Sequence, residues 1–183
     1  MESLMSSPEL LPRHGPGFIL RRLSIADLAD FQACRHDEEL GRYQGWLPTP
    51  DEQASAFLAE MSVAPFPNPG RWVQIGIAEP GGQRLLGDIG VFLDLDVTSA
   101  EIGFTLVRIA QGRGLATAAV RMVVDLIFEC STAERVIGIT DARNLPSMRL
   151  LERVGMRRME TRRAVFRGDA CVEHTYTVTR AGT

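Results

Sequence analysis

Apolar and polar positions change their period several times along this chain, and each change predicts an element. FILRRL (18–23) is a short apolar run of strand length. SIADLADFQACR (24–35) then places Ile25, Leu28, Ala29 and Phe31 at helical spacing behind Ser24, a good N-cap. After the break GRYQGWLPTP (41–50), Thr49-Pro50-Asp51-Glu52 is a helix start with proline in the first position. Ala54, Phe57, Leu58 and Met61 give that helix its apolar face, and APFPNPG (64–70) must be a loop.

The middle of the chain moves to strand periodicity. WVQIGIAEP (72–80), RLLGDIGVFLDLD (84–96) and AEIGFTLVR (100–108) predict three consecutive strands, the first two joined by a PGGQ turn, in an antiparallel meander. A helix follows from about Gly114 to Cys130, with Leu115, Ala119, Met122, Val123, Leu126 and Ile127 on a wide apolar face meant for the sheet. RVIGITDA (135–142) reads as a buried strand, and LPSMRLLERVG (145–155) as a helix closed by Gly155. Two strands around an Arg-Gly-Asp turn complete the chain. Strand, helix, strand in the second half requires a parallel crossover, whereas the first half is antiparallel. The expected fold class is α+β: a mixed, mostly antiparallel sheet with helices on both faces. Residues 1–16 are expected to be a flexible tail, and 17–183 a single domain.

Composition narrows the chemistry. The 183 residues are 45% hydrophobic, enough for one real core, and the net charge of −3 gives no footprint for nucleic acid. All 20 basic residues are arginine. With no lysine, a catalytic lysine, a Schiff base and a GxxxxGK[ST] phosphate loop are excluded. Cys34, Cys130 and Cys171 are odd in number and widely spaced, so neither a disulfide framework nor a metal site is implied. No apolar run has the length of a membrane span and no signal peptide is recognisable, so a cytoplasmic protein with no membrane partner is expected.

Two stretches carry candidate chemistry. In AQGRGLATAA (110–119) two glycines precede an alanine-rich helix. A helix start offers unpaired N–H groups and a partial positive charge, and glycines there let an anion approach the backbone. A plain turn before a core helix accounts for the same residues. In DARNLPSMRLLERVGM (141–156), Asn144 stands three residues before Ser147, where it can cap the helix.

Taken together these stretches resemble the GCN5-related N-acetyltransferase (GNAT) superfamily, and within it the ribosomal-protein and small-amine acetyltransferases. Gln111, Gly114 and Ala116 match the acetyl-CoA loop of that family. Asn144, Ser147, Leu150, Glu152 and Gly155 match its later motif, and EIGFTL (101–106) its preceding strand. The resemblance covers about residues 17–180. It implies an N-acetyltransferase that moves the acetyl group of acetyl-CoA to a primary amine, a protein N-terminus or small amine, by direct attack. The competing expectation is a non-catalytic acyl-CoA-binding or regulatory module on the same fold. A homodimer is common among such proteins, and the use of arginine with no lysine fits a GC-rich bacterial genome.

The resemblance also assigns residues. Phe104, Leu106, Arg108, Gln111, Gly112, Arg113, Gly114, Leu115, Ala116, Thr117, Asn144 and Ser147 would hold the cofactor, with the pyrophosphate on the amides of 112–117. The pantetheine arm would run beside strand 103–108, where a parallel strand pair splays to admit it. Val107-Arg108 replaces the Asp-Pro of many relatives at the loop entry. The tyrosine that protonates the leaving thiolate in several branches would fall near Leu151, so Ser147 is the candidate donor. Glu101 is the first candidate for the base and Asp88 the second. Tyr43 and Trp46 would line the acceptor side, and His174, alone in a late strand, is expected to be structural.

Overall fold

The computed structural model describes residues 10–181. In chain order the elements are β1 (Arg13–Gly15), β2 (Phe18–Arg22), a 3-10 turn (Ile25–Asp27), α1 (Leu28–Arg35), α2 (Glu38–Gly41) and α3 (Asp51–Val63). Then come β3 (Trp72–Ala78), β4 (Leu85–Leu93), β5 (Ser99–Leu106), a second 3-10 turn (Arg108–Ala110) and α4 (Leu115–Cys130). β6 (Arg135–Asp141), α5 (Leu145–Val154), β7 (Arg157–Phe166) and β8 (Asp169–Thr179) follow.

The eight strands form one sheet in the order β1-β2-β3-β4-β5-β6-β8-β7. Every neighbouring pair is antiparallel except β5 with β6. The mixed, mostly antiparallel α+β sheet expected from the sequence is therefore the observed one. The folded part begins earlier than expected, however. Arg13–Gly15 pairs with Phe18–Leu20 as an edge strand, and Leu10 and Leu11 pack against the core. The short run RHG carries no alternation, so its strand character comes from the neighbouring strand. Residues 1–9, the rest of that expected tail, lie outside the described residues.

Alternation along β4 shows why both faces are covered. Asp88 turns to α1, where its carboxylate meets Arg35, while the next residue, Ile89, joins the cluster built around α4. One core gathers Phe18, Ile75, Ile89, Ile102, Val123, Leu126 and Val136; the other gathers Leu23, Phe31, Ala54, Leu58 and Met61 under α1 and α3. Each fully buried aliphatic side chain contributes about 1.5–3 kcal/mol, which is why β4 is buried along nearly its whole length.

The first helix opens as a 3-10 turn in which the Asp27 carboxylate accepts from the Ser24 N–H (2.8 Å). Burial raises the Asp27 carboxyl, but Arg21 and Ser24 outweigh it and hold it below its ordinary value. α3 starts at Asp51 with Pro50 as its N-cap, one residue later than Pro50 in the first helical position would place it. α2, a single turn capped by the Asp37 side chain, is too short to leave a periodic signal.

β6 is less buried than expected: after an exposed Arg135 its positions alternate between buried and half-buried. α1 and α3 cover β2, β3 and β4 but do not extend over β6 and β8, so one face of that half of the sheet is left open. Gly138 lets the two elements approach closely, since a Cβ would lie 2.8 Å from Leu151 Cδ2. α5 thus lies tight on the covered face of β6. β7 is exposed almost throughout and rich in arginine, as suits an edge strand that must not pair indiscriminately.

Candidate functional site

The β5–β6 ladder ends early. Ser99 through Ile102 pair with Arg135 through Gly138, and pairing then stops. β5 runs on to Leu106 held by β4, and β6 runs on to Asp141 held by β8. The two strands separate into a V at their C-terminal ends. Residues of β5 alternate in the side to which they point their backbone groups. The carbonyls of Phe104 and Leu106 open toward the V, because side chains from outside the sheet reach them there: Gln44 Nε2 at 3.1 Å and Gln111 Nε2 at 2.8 Å. The N–H groups of Phe104 and Leu106 share that direction.

Directly after β5 the chain turns into α4. Gly112 and Gly114 have φ of +74° and +76°, the left-handed region that L side chains rarely adopt. A Cβ at either glycine would meet no protein atom within 4 Å, so the loop faces open space. The first helical bond runs from Ala118 N–H to the Gly114 carbonyl. The six amides of 112–117 therefore have no backbone acceptor among the described residues. This is a row of free donors at the N-terminus of a 16-residue helix. Gln111 braces the loop against β5, the Arg113 side chain is exposed, and Leu115 is buried, leaving only its backbone for a ligand. Ala116 and Thr117 lie on the first turn, half-buried.

Across the V, Asn144 caps α5 by accepting from the Ser147 N–H at 3.3 Å. Ser147 is half-buried on the first turn of that helix. Leu151 is only 1% exposed, so the position where a tyrosine would fall by resemblance is core.

Glu101 lies on β5 one residue before the last paired position and is half-buried. Burial raises its carboxyl above the ordinary value; Arg162 opposes that and Glu173 adds to it. Asp88 differs. It is 4% exposed and bound to Arg35 Nη2 at 2.5 Å. Burial raises it and the guanidinium opposes. Taking up a proton there would leave a buried arginine without its counter-charge, which weighs against a base role for Asp88.

The Arg108 guanidinium is engaged by Asp37 (2.5 and 2.8 Å) and by Glu39 (2.6 Å), which clasps the loop entry to α2 while its side chain stays more than half exposed. His174, expected to be structural, is buried with Nδ1 2.8 Å from Thr161 Oγ1 on the neighbouring strand.

The segment from Arg42 to Trp46 crosses the open end of the V. Gln44 holds it to β5, and Arg167 of the β7–β8 turn donates to the Gln44 and Trp46 carbonyls at 3.0 and 2.9 Å. Tyr43 lies between two guanidiniums, Arg42 at 5.3 Å and Arg143 at 5.8 Å from its ring. Trp46 turns inward onto Arg35 at 4.5 Å, opposite Phe31 at 4.3 Å, with its indole Nε1 buried and unpaired. Tyr43 thus stands at the mouth and Trp46 below it. Gln44, Arg42, Arg143 and Arg167 were missed by the sequence reading, because nothing in spacing shows that three distant segments converge.

A splayed parallel pair beside a free helix start makes an open groove with one end suited to an anion. Residues 18–157 match the family model of the acetyltransferase (GNAT) domain, and the chain belongs to that family. Among curated proteins it is similar to the probable N-acetyltransferase YjcK of Bacillus subtilis, 37% identical over 82 residues. That match spans 44% of this chain and 45% of the relative, so less than half of the relative's length is covered. Among solved structures, a GNAT-family acetyltransferase from Bacillus anthracis superposes with a TM-score of 0.78 at 18% identity, covering 92% of this chain and 98% of that one. RimL, the ribosomal L7/L12 alpha-N-protein acetyltransferase, solved with coenzyme A, has a TM-score of 0.78 at 13% identity, covering 90% and 95%. Among the described residues no helix is long and apolar enough to cross a membrane, and no cluster of potential metal ligands occurs.

Proposed function

We propose that this acetyltransferase uses acetyl-CoA as donor and a primary amine as acceptor, with the amine attacking the thioester directly. The observation that carries the reading is the row of free amides at 112–117 set beside the unpaired edge of β5. RimL, of the same fold, was solved with coenzyme A. Acetyl-CoA supplies the activated acyl group.

This chain's residues divide the remaining work. The amides of 112–117 and the start of α4 hold the pyrophosphate. The edge of β5 from Phe104 to Leu106 binds the pantetheine arm as an added strand would. A backbone N–H there faces the thioester oxygen, where one preorganised donor is worth roughly 3–4 kcal/mol in acyl transfer. Glu101 takes the proton of the attacking ammonium, directly or through water; its raised carboxyl suits it to that exchange. Ser147 gives a proton to the departing sulfur, on a helix whose first turn Asn144 fixes.

The test is release of free thiol from acetyl-CoA in the presence of a panel of amines, alongside calorimetry with coenzyme A. Amine-dependent thiol release supports the enzyme. Tight coenzyme A binding with no turnover on any amine would make the protein an acyl-CoA-binding module, and absence of both would overturn the site itself.

A further inference from the structure

We infer that the acceptor is an amine that also carries an anionic group, a carboxylate or phosphate, read by Arg42 and Arg143 at the mouth of the V. This rests on the acetyl-transfer reading and names the substrate class for that same site. The Arg42–Trp46 segment reaches from Phe104 on β5 toward Arg143, just beyond the end of β6, so an acceptor entering the V passes its side chains. Three guanidiniums meet on that segment. Arg42 and Arg143 flank Tyr43, and Arg167 binds two of its carbonyls.

Their acids do not balance them. Asp141 is held in a two-pronged pair by Arg143 (2.9 and 2.7 Å), whose side chain is still more than half exposed. Arg42 makes no ion pair among the described residues. It borders an open hollow of about 680 Å³ with Asp37, Glu38 and Glu39; Arg108 engages Asp37 and Glu39, and Glu38 makes no ion pair among the described residues. Arg167 meets only backbone oxygens. In a chain of net charge −3, the mouth thus carries three arginines against Asp141 and the unpaired Glu38.

Further along β5 from the mouth, Glu101 is half-buried, and its charged neighbours Arg162 and Glu173 are paired with each other. A carboxylate inside and guanidiniums outside form a field that orients a zwitterion. The ammonium is drawn to Glu101 and the anionic group to the Arg42–Arg143 pair, which places the nitrogen inward. A polyamine would meet the arginines unfavourably. Arg143 suits this role because the phenol of Tyr43 and the carboxylate of Asp141 hold its planar fork in place.

The experiment offers paired acceptors with acetyl-CoA: leucine against leucinamide, an Ala-Asp peptide amide against Ala-Asn, and spermidine. Binding of the same compounds to the coenzyme A complex is followed by calorimetry. The anionic member of a pair is expected to be favoured by roughly 10-fold or more, the usual worth of a charge-assisted contact. That preference should shrink toward one in Arg42→Gln and invert in Arg42→Glu, an exposed site where folding is not at stake. The two pairs separate a free amino acid from an acidic peptide as the source of the charge. Equal use of both members, or preference for spermidine, overturns the inference while leaving acetyl transfer intact. Selective binding of the anionic member without turnover supports the inference and overturns acetyl transfer. Neither selectivity nor turnover overturns both.

Discussion

The side-chain amide of Gln44 donates to the main-chain carbonyl of Phe104, 3.1 Å away and 60 residues on in the chain. This one bond ties the segment between α2 and α3 to the strand edge along which β5 parts from β6. The segment proposed for the acceptor is thereby held by the strand edge proposed for the cofactor. Gln44→Ala should release it and raise the KM for the amine several-fold, as loss of an ordinary hydrogen bond of about 1 kcal/mol does. Steady-state kinetics with each substrate varied would show this, with thermal stability nearly unchanged.

Gly114 has φ of +76° and open space around it. Gly114→Val is expected to cost about 1–2 kcal/mol of stability through backbone strain alone. It should also raise the KM for acetyl-CoA at least 10-fold, because the new side chain projects where phosphate would approach the amides. Calorimetry with coenzyme A separates the two effects.

Ser147 and Asn144 share one hydrogen bond but have different roles. Ser147→Ala keeps the backbone N–H that Asn144 accepts, so stability should hold while kcat falls if its hydroxyl protonates the thiolate. Asn144→Ala removes the cap and should cost about 1 kcal/mol in denaturant unfolding.

Glu101 should govern the acidic limb of the pH–rate profile. A base acts only when deprotonated, so kcat/KM should rise with pH through a value displaced above the ordinary carboxylate range, the direction in which burial moves this group. Glu101→Gln should lower kcat by roughly 100-fold or more and abolish that limb. The sign for stability is opposite: a carboxyl raised in the folded state favours folding at low pH and withdraws that contribution as pH rises through its folded value.

Asp88→Asn, by contrast, should destabilise the fold by about 3–5 kcal/mol, since Arg35 is left charged and buried between Phe31 and Trp46. Activity per folded molecule should fall far less than in Glu101→Gln. A loss of activity without loss of stability would return Asp88 to the chemistry.

Much of this fold is legible in local sequence because its signals are local. The helix beginning at Leu115 follows two glycines whose positive φ needs glycine, and α5 is bounded by Asn144 and by Gly155 at φ +101°. The meander of β3, β4 and β5 follows from runs of apolar residues and short turns, and the crossover through α4 makes β5–β6 the parallel pair. The amide row at 112–117 is equally local, since a chain that turns into a helix necessarily leaves its first donors free. Tertiary structure decided what depends on distant partners. RHG at 13–15 is a strand only because Phe18–Leu20 lies beside it. Asp88 and Glu101 look alike as carboxylates on neighbouring strands, yet α1 brings Arg35 onto the first and leaves the second half open. Arg108, aligned with the cofactor loop in sequence, is captured by Asp37 across 71 residues. The meeting of Arg42, Tyr43, Arg143 and Arg167 has no sequence signature, because long side chains choose their partners only after the strands and helices have set the distances.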